Sequence, residues 1–193
     1  MRGTAPQGPC STTSTSRPTR ELFRAAGLPR GETQEAMACL ILMERSEGEP
    51  TEAQAQAVAR IFAGMREQHR FLTGRDDYPA AALLAAREEP LEGMMARLEL
   101  LYEGLRGLSF RRGNQLQLAA HLLYFADERD AVLLARFRAL YDAFQGAGLR
   151  MNSGDYDEVA ILSFLDVPAG EVVERVLADR VALRETAKTN FGA

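Results

Sequence analysis

Residues 109–125, SFRRGNQLQLAAHLLYF, hold the side chains best suited to chemistry. At 100° per residue, Asn114, Gln117, His121 and Tyr124 fall on one narrow polar stripe of a helix whose remaining circumference is Leu and Ala. A helix that apolar is buried on most sides, so the stripe must find hydrogen-bond partners or line a groove. Arg111 and Arg112 precede its amino end, where open amides and the helix dipole favour an anion. Two readings follow. In one, a small anionic ligand bridges Arg111 or Arg112, the helix start and His121. In the other, a buried polar network fixes the helix register and the arginines are solvated, which is the commoner fate of an internal histidine.

Other chemistry finds less support. His69 and His121 are the only histidines, and neither stands at metal-ligand spacing from a second His, Cys or carboxylate, so no metal and no cofactor are expected. Cys39 lies in AMACLILM and reads as an inert core thiol. A phosphate-cradling glycine loop and a GxSxG elbow are both absent from the sequence. No catalytic residue is assigned, and the chain leans away from being an enzyme. The pairs Asp77–Tyr78 and Asp155–Tyr156 admit a bland reading, in which the aspartates cap helix starts and the tyrosines pack, and a sharper one, a paired carboxylate and phenol site. Asp76 adds a second carboxylate to one pair alone, which favours capping.

The elements that position these residues are helices. Beyond Thr19 apolar residues recur at three and four rather than two, and β-branched runs are missing. Thr51 opens TEAQ, a capping box with Gln54, and Ala55, Val58, Ile61, Phe62 and Met65 continue one stripe to an end expected near Gly74. Further helices are predicted from Pro79, from Pro90 with Met94, Met95, Leu98, Leu101 and Leu105 inward, from Asn114 to Phe125, from Asp127 or Asp130 to Phe144, from Asp155 to Leu165, and from Pro168 to about Thr186.

Part of this chain echoes itself. Asp77, Tyr78, Ala82, Leu84, Pro90, Arg97 and Leu105 recur 78 positions later as Asp155, Tyr156, Ala160, Leu162, Pro168, Arg175 and Leu183. Background frequencies would give about two such identities in that span. Val58, Ile61, Phe62 and Met65 match Phe137, Leu140, Tyr141 and Phe144 at a spacing of 79. The expected fold is all-α: about four stacked helical hairpins in two related halves, 33–106 and 114–188, as an α-solenoid-like or repeat-built bundle. They would form a single domain over 19–188, with a disordered leader over 1–18 and a tail over 189–193.

Composition agrees with this picture. The 193 residues are 46% hydrophobic and 26% charged, which describes a globular chain rather than a fibre or a membrane span. Arg makes up all but one of the 23 basic residues, Lys188 being the exception, as a G+C-rich genome would produce. A net charge of −4 argues against nucleic acid as the partner, and no apolar run is long enough for a membrane. The leader lacks the apolar core of a signal peptide, and the two cysteines, Cys10 and Cys39, suit a reducing compartment, so the expected location is the cytoplasm.

At TGRDDYPAAALLA, FRRGNQLQLAAHLL and DYDEVAILSFL the chain resembles a bacterial family known as domain of unknown function 4003. The motifs that carry the likeness are Asp76, Asp77, Tyr78 and Pro79, then Gly113, Asn114, Leu116, Gln117 and His121, within about residues 33–187. The resemblance implies a helical protein, longer at the amino end in typical members, and implies no activity.

The expected function is a non-catalytic helical-repeat binding or scaffolding module for a protein partner. The alternative is a small-anion-binding sensor or enzyme centred on Arg111, Arg112, Asn114, Gln117, His121 and Tyr124. Thr51, Asp77 and Asp155 are assigned to structural caps. A homodimer formed through an uncovered hairpin face is a third expectation.

Overall fold

The computed structural model describes residues 12–30, 33–45 and 49–190 and places side chains within residues 19–186. Among the described residues there are nine α-helices, two 3-10 turns and no strand. The helices are α1 (Thr12–Ala25), α2 (Thr33–Arg45), α3 (Glu52–Gln68), α4 (Tyr78–Ala85), α5 (Leu91–Gly107), α6 (Asn114–Tyr124), α7 (Asp130–Gly146), α8 (Tyr156–Leu162) and α9 (Ala169–Asn190). The 3-10 turns, Arg75–Asp77 and Ser153–Asp155, lead into α4 and α8. The chain is thus all-α, as the three-and-four spacing predicts. No helix among the described residues is long and apolar enough to cross a membrane.

Several boundaries differ from expectation, among them that of α8, which ends at Leu162 rather than Leu165. The leader was expected to be disordered through residue 18, yet α1 begins at Thr12. Ser and Thr are poor helix formers, but Phe23 and Leu28 are buried and α1 packs on α2 and α3, so the carboxyl half nucleates a helix that then propagates at low cost. Residues 1–11, the rest of that leader, and 191–193 of the expected tail lie outside the described residues, and α9 continues through Asn190. The helix from Thr51 stops at Gln68 rather than near Gly74. Its end is closed by the Thr73 hydroxyl, which donates to the Met65 carbonyl at 3.0 Å, while the Leu72 and Thr73 amides turn back onto His69.

The described residues gather into two compact units, Met1–Glu92 and Gly93–Ala193, which divide at the start of α5 and not in the 107–113 link between the halves read from sequence. In the first unit α4 packs against both α2 and α3. Its core holds Phe23, Cys39, Leu42, Val58, Met65, Tyr78 and Leu84. In the second unit α8 packs against α6 and α7, and α9 packs against α7. Met94, Leu101, Leu105, Leu116, Leu123 and Phe137 fill that core. Gly104 of α5 lies directly against Leu134 of α7, where an added Cβ would come within 2.5 Å of the leucine methyl.

The elements are spaced like the sequence identities. Glu52 and Asp130 open α3 and α7, Tyr78 and Tyr156 open α4 and α8, and Leu91 and Ala169 open α5 and α9, each pair 78 residues apart. Inside α3 and α7 the buried pairs Val58 and Phe137, Ile61 and Leu140, and Met65 and Phe144 instead keep the spacing of 79.

Candidate functional site

The chain enters α6 through a fixed approach. Ser109 ends α5 in the left-handed region at φ 67°, and its amide and that of Phe110 turn back onto the Arg106 and Leu105 carbonyls at 2.9 and 3.3 Å. The Phe110 ring then stands edge-on to Phe137, Tyr141 and Tyr156, with centroids 4.9 to 5.4 Å away. The Arg111 amide donates to the Tyr156 hydroxyl at 3.1 Å. Gly113 takes φ 154°, which a side chain would resist, and α6 starts at Asn114.

This approach divides the polar stripe. Arg111, Arg112 and Asn114 are exposed, whereas Gln117, His121 and Tyr124 are buried in the core of the second unit. Each of those three is held by a polar or ring contact. The stripe therefore runs from solvent into a packed interior, and the six candidate residues do not share one environment.

The stripe's inner end is gripped by a residue that sequence reasoning noted only as an identity. Arg97 of α5 donates from Nε to Asp130 at 2.9 Å and from its terminal nitrogens to the carbonyls of Tyr124, Ala126 and Glu128 at 3.2 to 3.4 Å. Its guanidinium also lies 5.0 Å from the centre of the Tyr124 ring. The cation meets the negative end of the α6 dipole, and Asp130 meets the positive end of α7. Arg175, the partner of Arg97 at the spacing of 78, is exposed and bonds Asp179 on its own helix instead.

The paired Asp–Tyr motifs also resolve into contacts, each within its own unit. Thr51 caps α3 as expected: its hydroxyl accepts from the Gln54 amide at 3.3 Å and its own amide donates to Gln54 Oε1 at 2.8 Å. Asp77 and Asp155 act one step earlier than expected. Neither side chain caps its α-helix, because the 3-10 turn intervenes. Asp77 accepts from the Gly74 amide at 2.8 Å and Asp155 from the Asn152 amide at 2.7 Å, so each closes the turn before the helix. The Tyr78 hydroxyl donates to the Pro29 carbonyl at 2.9 Å, the segment that feeds α2. Proline has no amide to give, so this bond runs opposite to that of Tyr156, whose oxygen accepts from Arg111.

Two groups have displaced acidities. Burial pushes the Asp77 carboxyl up from 3.8 to about 6, with the Gly74 amide opposing the shift and Asp76 adding to it. Burial, with a smaller contribution from Glu35, raises the Cys39 thiol to about 11, where it is no nucleophile at neutral pH. Cys10 lies outside the described residues.

The feature that sequence reasoning missed lies after α8. Ile161, Phe164, Leu165 and Val167 are each 40% or more exposed, within seven residues. Two grooves flank them. One of about 320 Å³ is lined by Arg136, Ala139, Leu165 and Val167. The other, of about 430 Å³, has an apolar floor from Phe144, Leu149, Ile161, Leu162 and Val176 and the carboxylates of Asp155 and Glu158 on its lining. A signal was present in the sequence: at the spacing of 78 the first half has Arg87 and Glu89 where the second has Leu165 and Val167.

Comparison with known proteins gives a family and no activity. The chain is 24% identical over 132 residues to the uncharacterized protein YeaA of Bacillus subtilis (strain 168), which covers 68% of this chain and 40% of that protein. The chain therefore spans less than half the length of that curated relative. No solved structure matches it. The model of the family described as protein of unknown function DUF4003 matches residues 29–190, so the chain belongs to that family.

Proposed function

We propose that the chain is a non-catalytic helical-repeat module of the bacterial cytoplasm that binds a protein partner. The observation that carries this reading is the run of large apolar side chains exposed over Ile161–Val167 between two grooves. Isolated exposed leucines are ordinary, but four large apolar side chains exposed within seven residues, interrupted by Asp166 and set beside grooves, make the kind of surface expected of an interface. The repeat half of the reading is supported by helix starts and identities that share a spacing of 78. The anion-binding alternative has less support, since Gln117 and His121 are buried while Arg111 and Arg112 are exposed.

Affinity purification of the tagged chain from the cells that encode it tests the proposal. A specific protein is expected at near-stoichiometric yield, and a thermal-shift screen of phosphate and carboxylate metabolites is expected to move the melting temperature by less than 1 °C or so. Recovery of no partner, together with a metabolite shift that His121→Ala abolishes, would reverse the assignment in favour of the small-anion site.

A further inference from the structure

Building on the binding-module reading, we infer that the Ile161–Val167 strip and its larger groove receive a cationic amphipathic helix of a protein partner, with Asp155 and Glu158 facing its basic residues. The shape of the acceptor comes first. Among the described residues there is no sheet edge to extend, so an added strand has nothing to pair with, whereas a groove between helices accepts a helix's apolar face. Ile161, Phe164 and Leu165 stand three and four residues apart, and the amides of Phe164 and Leu165 bond back to Ile161 and Leu162, which keeps the side chains on one helical surface.

Charge then selects the partner. Among the described residues the charged side chains lining the larger groove are Asp155 and Glu158, both acidic, while in the smaller groove Arg136 is paired with Asp166. A hydrogen bond with the neighbouring Asp157 holds the Glu158 carboxyl above its ordinary range, with smaller contributions from burial and from the charges of Asp157 and Asp155, which an arriving ammonium or guanidinium would offset. The same carboxylates repel an anionic lipid surface, which disfavours a membrane as occupant.

The fold does not require this surface. At the spacing of 78, Glu158 replaces Ala80, Phe164 replaces Ala86, Leu165 replaces Arg87 and Val167 replaces Glu89. The first half forms the corresponding helices with charged and small residues at these positions. Ile161 and Asp155 have counterparts in Leu83 and Asp77, so it is Phe164, Leu165, Val167 and Glu158, present in one half alone, that call for a contact to explain them.

The test is fluorescence anisotropy with a short labelled leucine–lysine amphipathic peptide at near-physiological salt, using the full chain. We expect the peptide to bind and its leucine–glutamate counterpart not to bind. Glu158→Lys should weaken binding by roughly tenfold and Ile161→Asp by more, while Glu103→Lys, an equal charge change on exposed α5 surface, should alter it by less than about twofold. Equal binding of both peptides, no binding, or equal losses at Glu158 and Glu103 would overturn the inference. So would a dimer in sedimentation that Ile161→Asp dissociates, which would assign the strip to a second copy, or tighter binding to anionic vesicles than to the peptide. The module reading has its own outcome: a partner recovered from cells equally well by wild type and Ile161→Asp leaves that reading intact while removing this surface from it.

Discussion

At the scale of single residues, Asp77 carries a pH signature that follows from where its carboxylate is held. Burial raises its pKa from 3.8 to about 6 even though the Gly74 amide stabilises the ionised form. The folded chain therefore binds more protons than the unfolded chain between those values, and this group's contribution to stability is complete below about pH 4 and is lost as the pH rises through 6. Asp77→Asn retains an acceptor for the Gly74 amide and removes the charge. Urea unfolding of wild type and variant at pH 4.5, 6 and 7.5 should show the variant gaining about 1 kcal/mol relative to wild type across the series, after allowance for solvent screening. Parallel curves would mean that the carboxylate is not buried in solution. Cys39 makes the same point about reactivity, since a side chain that could be a nucleophile by type is disarmed by its position in the core.

Between elements, the strongest described tie in the second unit is Arg97. One guanidinium serves three carbonyls between the end of α6 and the start of α7, the Asp130 carboxylate that opens α7 and the face of the Tyr124 ring. Removing it leaves partly buried acceptors and a carboxylate unmatched, so Arg97→Ala should cost about 2–3 kcal/mol in chemical denaturation. Arg97→Lys should recover only part of that, because an ammonium cannot reproduce the planar fork. Arg175→Ala, which removes the residue at the same register in α9, should cost less than about 0.5 kcal/mol because Arg175 is exposed. Similar losses at both positions would show that the identity, and not the contact, sets the stability. The pair also marks how far sequence carries. Helical class, the inward faces of α3 and α5, the capping box at Thr51 and the spacing of 78 were all legible, since each is a local pattern of side-chain types. Which member of an identical pair is clamped was not, because that depends on what lies across from it. For the same reason the polar stripe was readable as a stripe, while its division into an exposed Asn114 and a buried His121 was set by packing around α6. The strip after α8 escaped notice because exposure cannot be read from a short apolar run.

For the whole molecule, the question is what the family match over residues 29–190 spans, since that range takes in parts of both compact units. The second unit has its own buried set in Met94, Leu101, Leu116, Leu123 and Phe137, and its own long-range ties from Arg97 to Asp130, Arg138 to Leu108 and Tyr156 to Arg111. A unit of this size can bury roughly 60–65% of its unfolded surface, enough for marginal stability without a disulfide or metal. A fragment covering residues 90–193, which keeps the start of α5 intact, should therefore show a helical circular dichroism spectrum and one cooperative thermal transition. Arg97→Ala should lower the midpoint in the fragment in the same direction as in the full chain. A broad, uncooperative melt with exposed apolar surface would instead mean that the second unit needs the first, and the spacing of 78 would then record how the sequence arose without describing how the chain folds. A cooperative fragment would let the Ile161–Val167 surface be studied apart from the first half, where Ala86, Arg87 and Glu89 stand in place of Phe164, Leu165 and Val167.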